Sequence, residues 1–379
     1  MSTLRTNAIL DASGGNTATI NGMTPTAQSL QGFRNRIING DMRIDQRNAG
    51  ASVTPTSILG ATYSLDRWAT YGSAASKFSV QQNAGSVTPP AGYPNYLGVT
   101  SLSSYSVGAG ELYYLYQAIE GFNMSDFAFG SASASSVTLS FWVRSSLTGA
   151  FSGSLTNGAF SRSYPFTYTI NAANTWEQKT VTVAGDTAGS WTTGSGTGMN
   201  VFFNLGSGSN NLATAGAWTG AGRVGVTGSQ SIVATNGATL YITGVQLEAG
   251  SVATPFERRD FGTEFAKCQR YYQTSYPIGV AIQSLTNVTD GASFICINTS
   301  DTSNGGPLFV SMRATPEFFV YSSNGGVGAN SAREGGGANV TGITLVGGTA
   351  NNLPRLSKNA GLGTQGAPFT AHWTANAEL

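Results

Sequence analysis

Eighteen Asp and Glu residues, one histidine and two cysteines make up the reactive inventory of this 379-residue chain. Hydrolysis of a glycoside needs two carboxyl groups about 5 to 9.5 Å apart, and the pairs on offer are Asp41 with Asp45, and Asp66 with Glu111 or Glu120. Asp66, ahead of Arg67 and Trp68, reads instead as an ion-pair partner for an arginine at a strand end. The single histidine, His372, excludes the usual His-based triad and a two-histidine metal site within one chain, and beside Trp373 it reads as structural. Gly335, Gly336 and Gly337 lack the Lys-Ser/Thr and the following helix of a phosphate loop, so the run NGGVGANSAREGGGANVTG reads as an exposed loop. Cys268 falls in a helical stripe and Cys296 in the strand-like FICI, which suits two buried free thiols better than a bridge. No catalytic residue, metal ligand or cofactor site is predicted.

For sugar binding, the relevant groups would be exposed aromatics. A flat ring can cover the C–H face of a sugar while Asn, Gln, Asp or Arg beside it bonds the hydroxyls. Tyr113, Tyr114 and Tyr116 place rings on both faces of one strand, and Trp191 and Trp218 lie in loops rich in Gly, Ser and Thr. These five are the candidate carbohydrate-binding residues.

The elements that must position them are strands. Fifty glycines and only 10% charged residues disfavour long helices and suit short strands with frequent turns. Strand patterns occur in RIINGDMRIDQR, YSLDRWATYG, ELYYLYQAIEG, SVTLSFWVRSS, TWEQKTVTV, MNVFFNLG and the run from Leu240. In SVTLSFWVRSS, Val137, Leu139, Phe141 and Val143 take one face while Thr138, Ser140, Trp142 and Arg144 take the other. This spacing points to an antiparallel sandwich or jelly roll in an all-β protein.

In the stretch from Leu240 to Gln273 the period changes. Beyond Pro255, Phe261, Phe265, Cys268 and Tyr272 recur at helical spacing, with Thr263 able to cap the start. So short an apolar stripe needs cover, either from its own sandwich or from another subunit, and these four are the candidate subunit contacts. The predicted organisation is an extended N-terminal arm over 1–35, a sandwich over 36–258, a connecting helix over 259–273 and a smaller β domain over 274–379. Within that last domain PIGVAIQS, ASFICINT, PLFVSMRAT, EFFVYSS and FTAHWTA read as strands.

A formal net charge of +1 with no basic run gives no footprint for nucleic acid. No run is long enough for a helical membrane span, and the apolar residues after Arg5 are too few for a signal-peptide core. Synthesis and folding in a cytoplasm, with no membrane insertion, are expected.

The runs RIINGDMRIDQR, YSLDRW, TLSFWVRSS, NTWEQKTVTV and YITGVQLEAGSVATPFERR resemble the jelly-roll domains of phage tail-fibre and related virion proteins, which are similar to carbohydrate-binding modules. EFAKCQRYYQ, SMRATPEF and the terminal HWTANAEL are similar to the C-terminal part of such proteins, and STLRTNAILDASGG to their openings. The resemblance implies a homotrimeric virion appendage whose N-terminal arm docks on tail or baseplate proteins and whose β domains bind host surface polysaccharide without catalysis. Two other roles fit such a family: a structural virion protein (head fibre, capsid decoration or baseplate connector), and a polysaccharide depolymerase.

Overall fold

A computed structural model describes residues 33–56, 60–284, 292–323, 328–334, 339–358 and 362–379. Most of the arm and Gly335–Gly337 lie outside these residues. The main body is two antiparallel sheets face to face. Ten of its strands are β1 (Thr62–Leu65), β2 (Trp68–Gly72), β3 (Phe78–Gln82), β4 (Leu97–Ser101), β5 (Tyr113–Glu120), β6 (Val137–Ser145), β7 (Gly149–Asn157), β8 (Ser163–Ile170), β9 (Glu177–Val183) and β10 (Thr197–Asn204). One sheet has the order β1-β2-β5-β10-β7-β8. The other runs β3-β4, then the long strand Thr239–Ala249, then β6-β9. The fold is a jelly-roll sandwich.

Alternation fills the core. Val137, Leu139, Phe141 and Val143 of β6 are all fully buried against Phe151, Leu155, Val201 and Phe203 from the opposite sheet. Strands β3, β4, β7 and β8 carry weaker sequence patterns and were not expected. In β7, Gly153 is required: a Cβ there would lie 2.2 Å from the Phe202 carbonyl oxygen and 2.6 Å from the Phe166 ring.

The segment Asn35–Gln46, expected as a strand, is irregular. Four of its backbone N–H groups are satisfied by side chains rather than by a ladder: Ile37 donates to Asn35 Oδ1, Ile38 to Gln117 Oε1, Ile44 to Asn39 Oδ1 and Gln46 to Asp66 Oδ2. Its apolar side chains Ile37, Ile38, Met42 and Ile44 are nonetheless buried. The long strand bulges between Thr243 and Gln246, and there Val245 N–H bonds the Gly40 carbonyl.

The helix spans Phe261–Gln269 and is capped by Asp260, whose side chain accepts from the Thr263 N–H. Thr263 is therefore not the cap. Tyr272 is not helical either: Tyr272–Thr274 is a strand paired with Pro368–Asn376. That last strand also pairs Ala292–Ile295, Glu317–Ser322 and Ser331–Glu334, and so organises a further, C-terminal sheet. A smaller sheet of Asp301–Asn304, Arg355–Ser357 and Thr344–Val346 lies in the same region, which has its own core around Phe294, Leu356, Phe369 and Trp373.

Pro277–Ser284 and Pro307–Thr315, expected as strands, form turns and irregular chain, with an isolated bridge at Pro307. The Gly-rich run contains strands instead of only a loop, since Ser331–Glu334 pairs with Asn339–Thr341 and Ala332 is fully buried.

Candidate functional site

Strand β5 divides its three tyrosines between two environments. Tyr113 points into the core with no exposed surface, edge-on to Tyr105. Tyr114 and Tyr116 lie on the opposite, outer face, where the antiparallel register sets Tyr71 of β2 beside Tyr114 and Phe202 of β10 beside Tyr116. The rings form one platform: Tyr71 stacks on Tyr114 at 5.4 Å, Tyr114 meets Phe202 edge-on at 4.7 Å, and Tyr116 stacks on Phe202 at 5.4 Å.

Tyr71 and Tyr116 are half-buried and Tyr114 is 7% exposed, with Val224 and Phe160 packed against the rings. Burial pushes the Tyr116 hydroxyl up to about 12 and the Tyr114 hydroxyl higher still. Both remain protonated donors at neutral pH. Asn200 and Asn204 of β10 lie on the same face but are buried, donating 3.2 Å bonds to Thr156 and Ser152 of β7. The partly exposed rings of Tyr71 and Tyr116, with their hydroxyls, are what this face offers a saccharide. Tyr71 and Phe202 were missed in the sequence, although each stands in an alternating run, YSLDRWATYG or MNVFFNLG.

Trp191 and Trp218 come together elsewhere. Their rings are 5.4 Å apart and both meet Phe129 edge-on, closing one end of the sandwich. Trp191 donates to Asp186, itself held by two bonds from Arg162, and Trp218 donates to the Ala184 carbonyl. Their loops are apolar-poor, yet the indoles pack as a cluster.

No protein-family model matches the chain, and no curated protein does. Solved structures do. The chain is similar to the enzymatically active domain of a bacteriophage CBA120 tailspike protein, with 11% identity over 57% of this chain and 22% of that one, at a TM-score of 0.31. This chain thus spans about a fifth of that tailspike structure. It is similar also to a CBM4 structure, with 13% identity over 56% of this chain and 98% of that one, at 0.26. A family 11 carbohydrate-binding module from Clostridium thermocellum, in complex with a mixed-linked tetrasaccharide, shares 8% identity over 54% of this chain and 98% of its own at the same score.

The carboxylates considered for hydrolysis are each engaged in local structure. Asp45 accepts from the N–H groups of Arg47, Asn48 and Gly50 and shapes a turn. Asp41 pairs with Arg43 at 3.1 Å. Glu111 accepts from Tyr105 and from Gly108 N–H. Glu120 takes two bonds from Arg270 and one from Tyr271; burial opposes its charge, but these donors hold its carboxyl below the usual range.

Asp66 departs from expectation. Its two oxygens accept 2.7 Å bonds from the backbone and side chain of Gln46, and the adjacent Arg67 pairs instead with Glu378. Cys268 and Cys296 are both buried and are not joined in a disulfide. His372 bonds Ser275 at 2.9 Å and stacks on Tyr276. Among the described residues no cluster suited to a metal ion occurs.

Of the candidate subunit contacts, Cys268 is fully buried against Ile38, Ile44 and Tyr271, and Tyr272 lies under the Arg47 guanidinium at 3.7 Å. Phe261 stays 45% exposed and stacks on half-buried Phe265. Phe265 borders an open groove of about 490 Å³ shared with Gln269, Tyr276, Ile278 and Phe309.

Proposed function

We propose that the protein is a virion appendage of the phage tail-fibre kind, a homotrimer that adsorbs the particle to bacterial surface polysaccharide through its sandwich domain and performs no chemistry on it. The observation that carries this reading is the pair of half-buried outer-face rings, Tyr71 and Tyr116, backed by the buried rings of Tyr114 and Phe202. The engagement of the candidate carboxylates in turns and ion pairs supports binding over cleavage, and the sequence resemblance to tail-fibre jelly rolls supplies the biological setting.

A shallow sugar contact of millimolar affinity is worth only about 4 kcal/mol. Three copies per appendage, and several appendages per particle, multiply such contacts through effective concentration, so weak sites suffice for firm adhesion. The test is binding of the purified protein to host cells and to their extracted polysaccharide. Tyr116→Ala together with Tyr71→Ala is expected to lower binding at least tenfold at unchanged fold. Absence of binding to any host cell overturns the adsorption role, and release of reducing ends from the polysaccharide replaces it with depolymerisation.

A further inference from the structure

The other sheet carries a second aromatic surface of different charge. On β6, Trp142 and Arg144 point outward, and the register sets them opposite Thr243 and Tyr241 of the long strand, with exposed Gln178 of β9 on the far side of Trp142. Trp176, just before β9, belongs to the same face, because its ring lies 5.5 Å from Tyr96, which in turn packs on Tyr241 at 5.1 Å. The Arg144 guanidinium lies over Tyr241 and its Nε donates to the Asn174 carbonyl. Two half-buried indoles therefore flank an arginine at the open side of a sheet.

Tyr93 extends this surface. Its ring packs against Gly244, next to the Thr243 that faces Trp142, where φ is 59° and an added Cβ would lie 2.7 Å from the ring, so no side chain fits. Arg258 covers the other side of Tyr93 with its guanidinium 4.7 Å from the ring centre.

The charge on this patch is one-sided. Among the described residues neither Arg144 nor Arg258 has a carboxylate partner, although 11 ion pairs occur elsewhere in the molecule. The carboxylates close by are already engaged: Glu177 by Lys179 and Asn171, Glu248 by Gln246 and Thr254, Asp41 by Arg43. Two unopposed guanidinium groups on a chain of net charge +1 are complementary to an anion, and a guanidinium fork matches a carboxylate in two bonds. Indoles on either side suit the C–H faces of a pyranose.

We infer that the outer face of this sheet, at Trp142, Arg144, Trp176 and Arg258, is a second glycan site, specific for uronate-bearing saccharide. Arg144 holds the sugar carboxylate, the two indoles cover flanking rings, and Gln178 bonds a hydroxyl. The inference rests on the carbohydrate-binding reading but on a different surface, so variants on the two sheets separate the two claims.

The experiment is titration of the full chain with oligogalacturonate, oligomannuronate and hyaluronan fragments and with their carboxyl-reduced counterparts, read by tryptophan fluorescence and calorimetry. At least one uronate oligosaccharide is expected to bind ten or more times tighter than its reduced form and to weaken as salt rises. Arg144→Gln, a surface change that leaves folding intact, abolishes that preference, and Trp142→Ala lowers affinity at least tenfold for both forms. Tyr116→Ala leaves this binding unchanged while weakening the platform's own ligand. Equal binding of uronate and reduced forms, no binding of any uronate, or an unaltered Arg144→Gln protein overturns the site even where the Tyr116 platform still binds.

Discussion

Asp66 sits in the tight connection between β1 and β2 with no surface in water, and burial lifts its carboxyl to about 7 despite the Arg47 charge and the two Gln46 donors that oppose the rise. An acid raised in this way makes the folded state hold a proton that the unfolded chain releases near its ordinary value of 3.8. Its stabilising contribution is therefore complete below about pH 4, falls as pH climbs toward 7 and is flat above, with a total of up to about 4 kcal/mol. Glu120 and Glu257 run the other way, since their lowered carboxyls lose stabilisation on acidification. The Asp66 effect is isolated by difference: Asp66→Asn removes a decline in stability between pH 4 and 7 that the native protein shows in denaturant melts. Parallel pH profiles for the two proteins would refute the assignment.

At the scale of elements, the joint between sandwich and C-terminal sheet is held by charge in a buried setting. Glu378, beyond the strand Pro368–Asn376, pairs with both Arg47 and Arg67. Their guanidinium groups lie flat on Tyr272 at 3.7 Å and Tyr271 at 3.5 Å, and Arg313 bonds the carbonyls of Ala377 and Glu378. Removing one member of such a set leaves charge buried without compensation, at a cost of about 3 to 5 kcal/mol. Glu378→Gln is expected to lose that much in chemical denaturation, and a loss under about 1 kcal/mol would show that water already screens the cluster. None of this was legible in sequence, because it depends on residues 311 positions apart. The alternation of SVTLSFWVRSS was legible, since period 2 with a buried face is a local property. Asn35–Gln46 misled for the opposite reason: its apolar residues are buried as in a strand, but Asn39, Gln117 and Asp66 replace the ladder. The Ser331–Glu334 strand was hidden by its glycine neighbours. The platform was half legible, with Tyr114 and Tyr116 evident and their partners Tyr71 and Phe202 supplied only by cross-strand register.

For the whole molecule, the helical stripe now separates into two parts with different consequences for assembly. Cys268 and Tyr272 are covered by their own chain and have no surface to offer a neighbour. Ile278 at 42% and Phe309 at 63% exposure remain open in the groove that Phe265 borders, and Phe261, stacked on Phe265, is 45% exposed. Clustered apolar exposure on a surface otherwise so poor in charge is where the proposed homotrimer would close. Light scattering of the purified protein is expected to give three times the 39.1 kDa chain mass. Phe261→Asp introduces a charge at that contact without disturbing the buried side of the helix, so it is expected to raise the subunit dissociation constant at least tenfold while the monomer's melting temperature stays within a few degrees. A native protein that stays monomeric at micromolar concentration removes the trimer, and with it the multiplication of weak sugar contacts. The sandwich would then have to bind its glycan at submicromolar affinity from a single copy, which a shallow aromatic platform is poorly built to do.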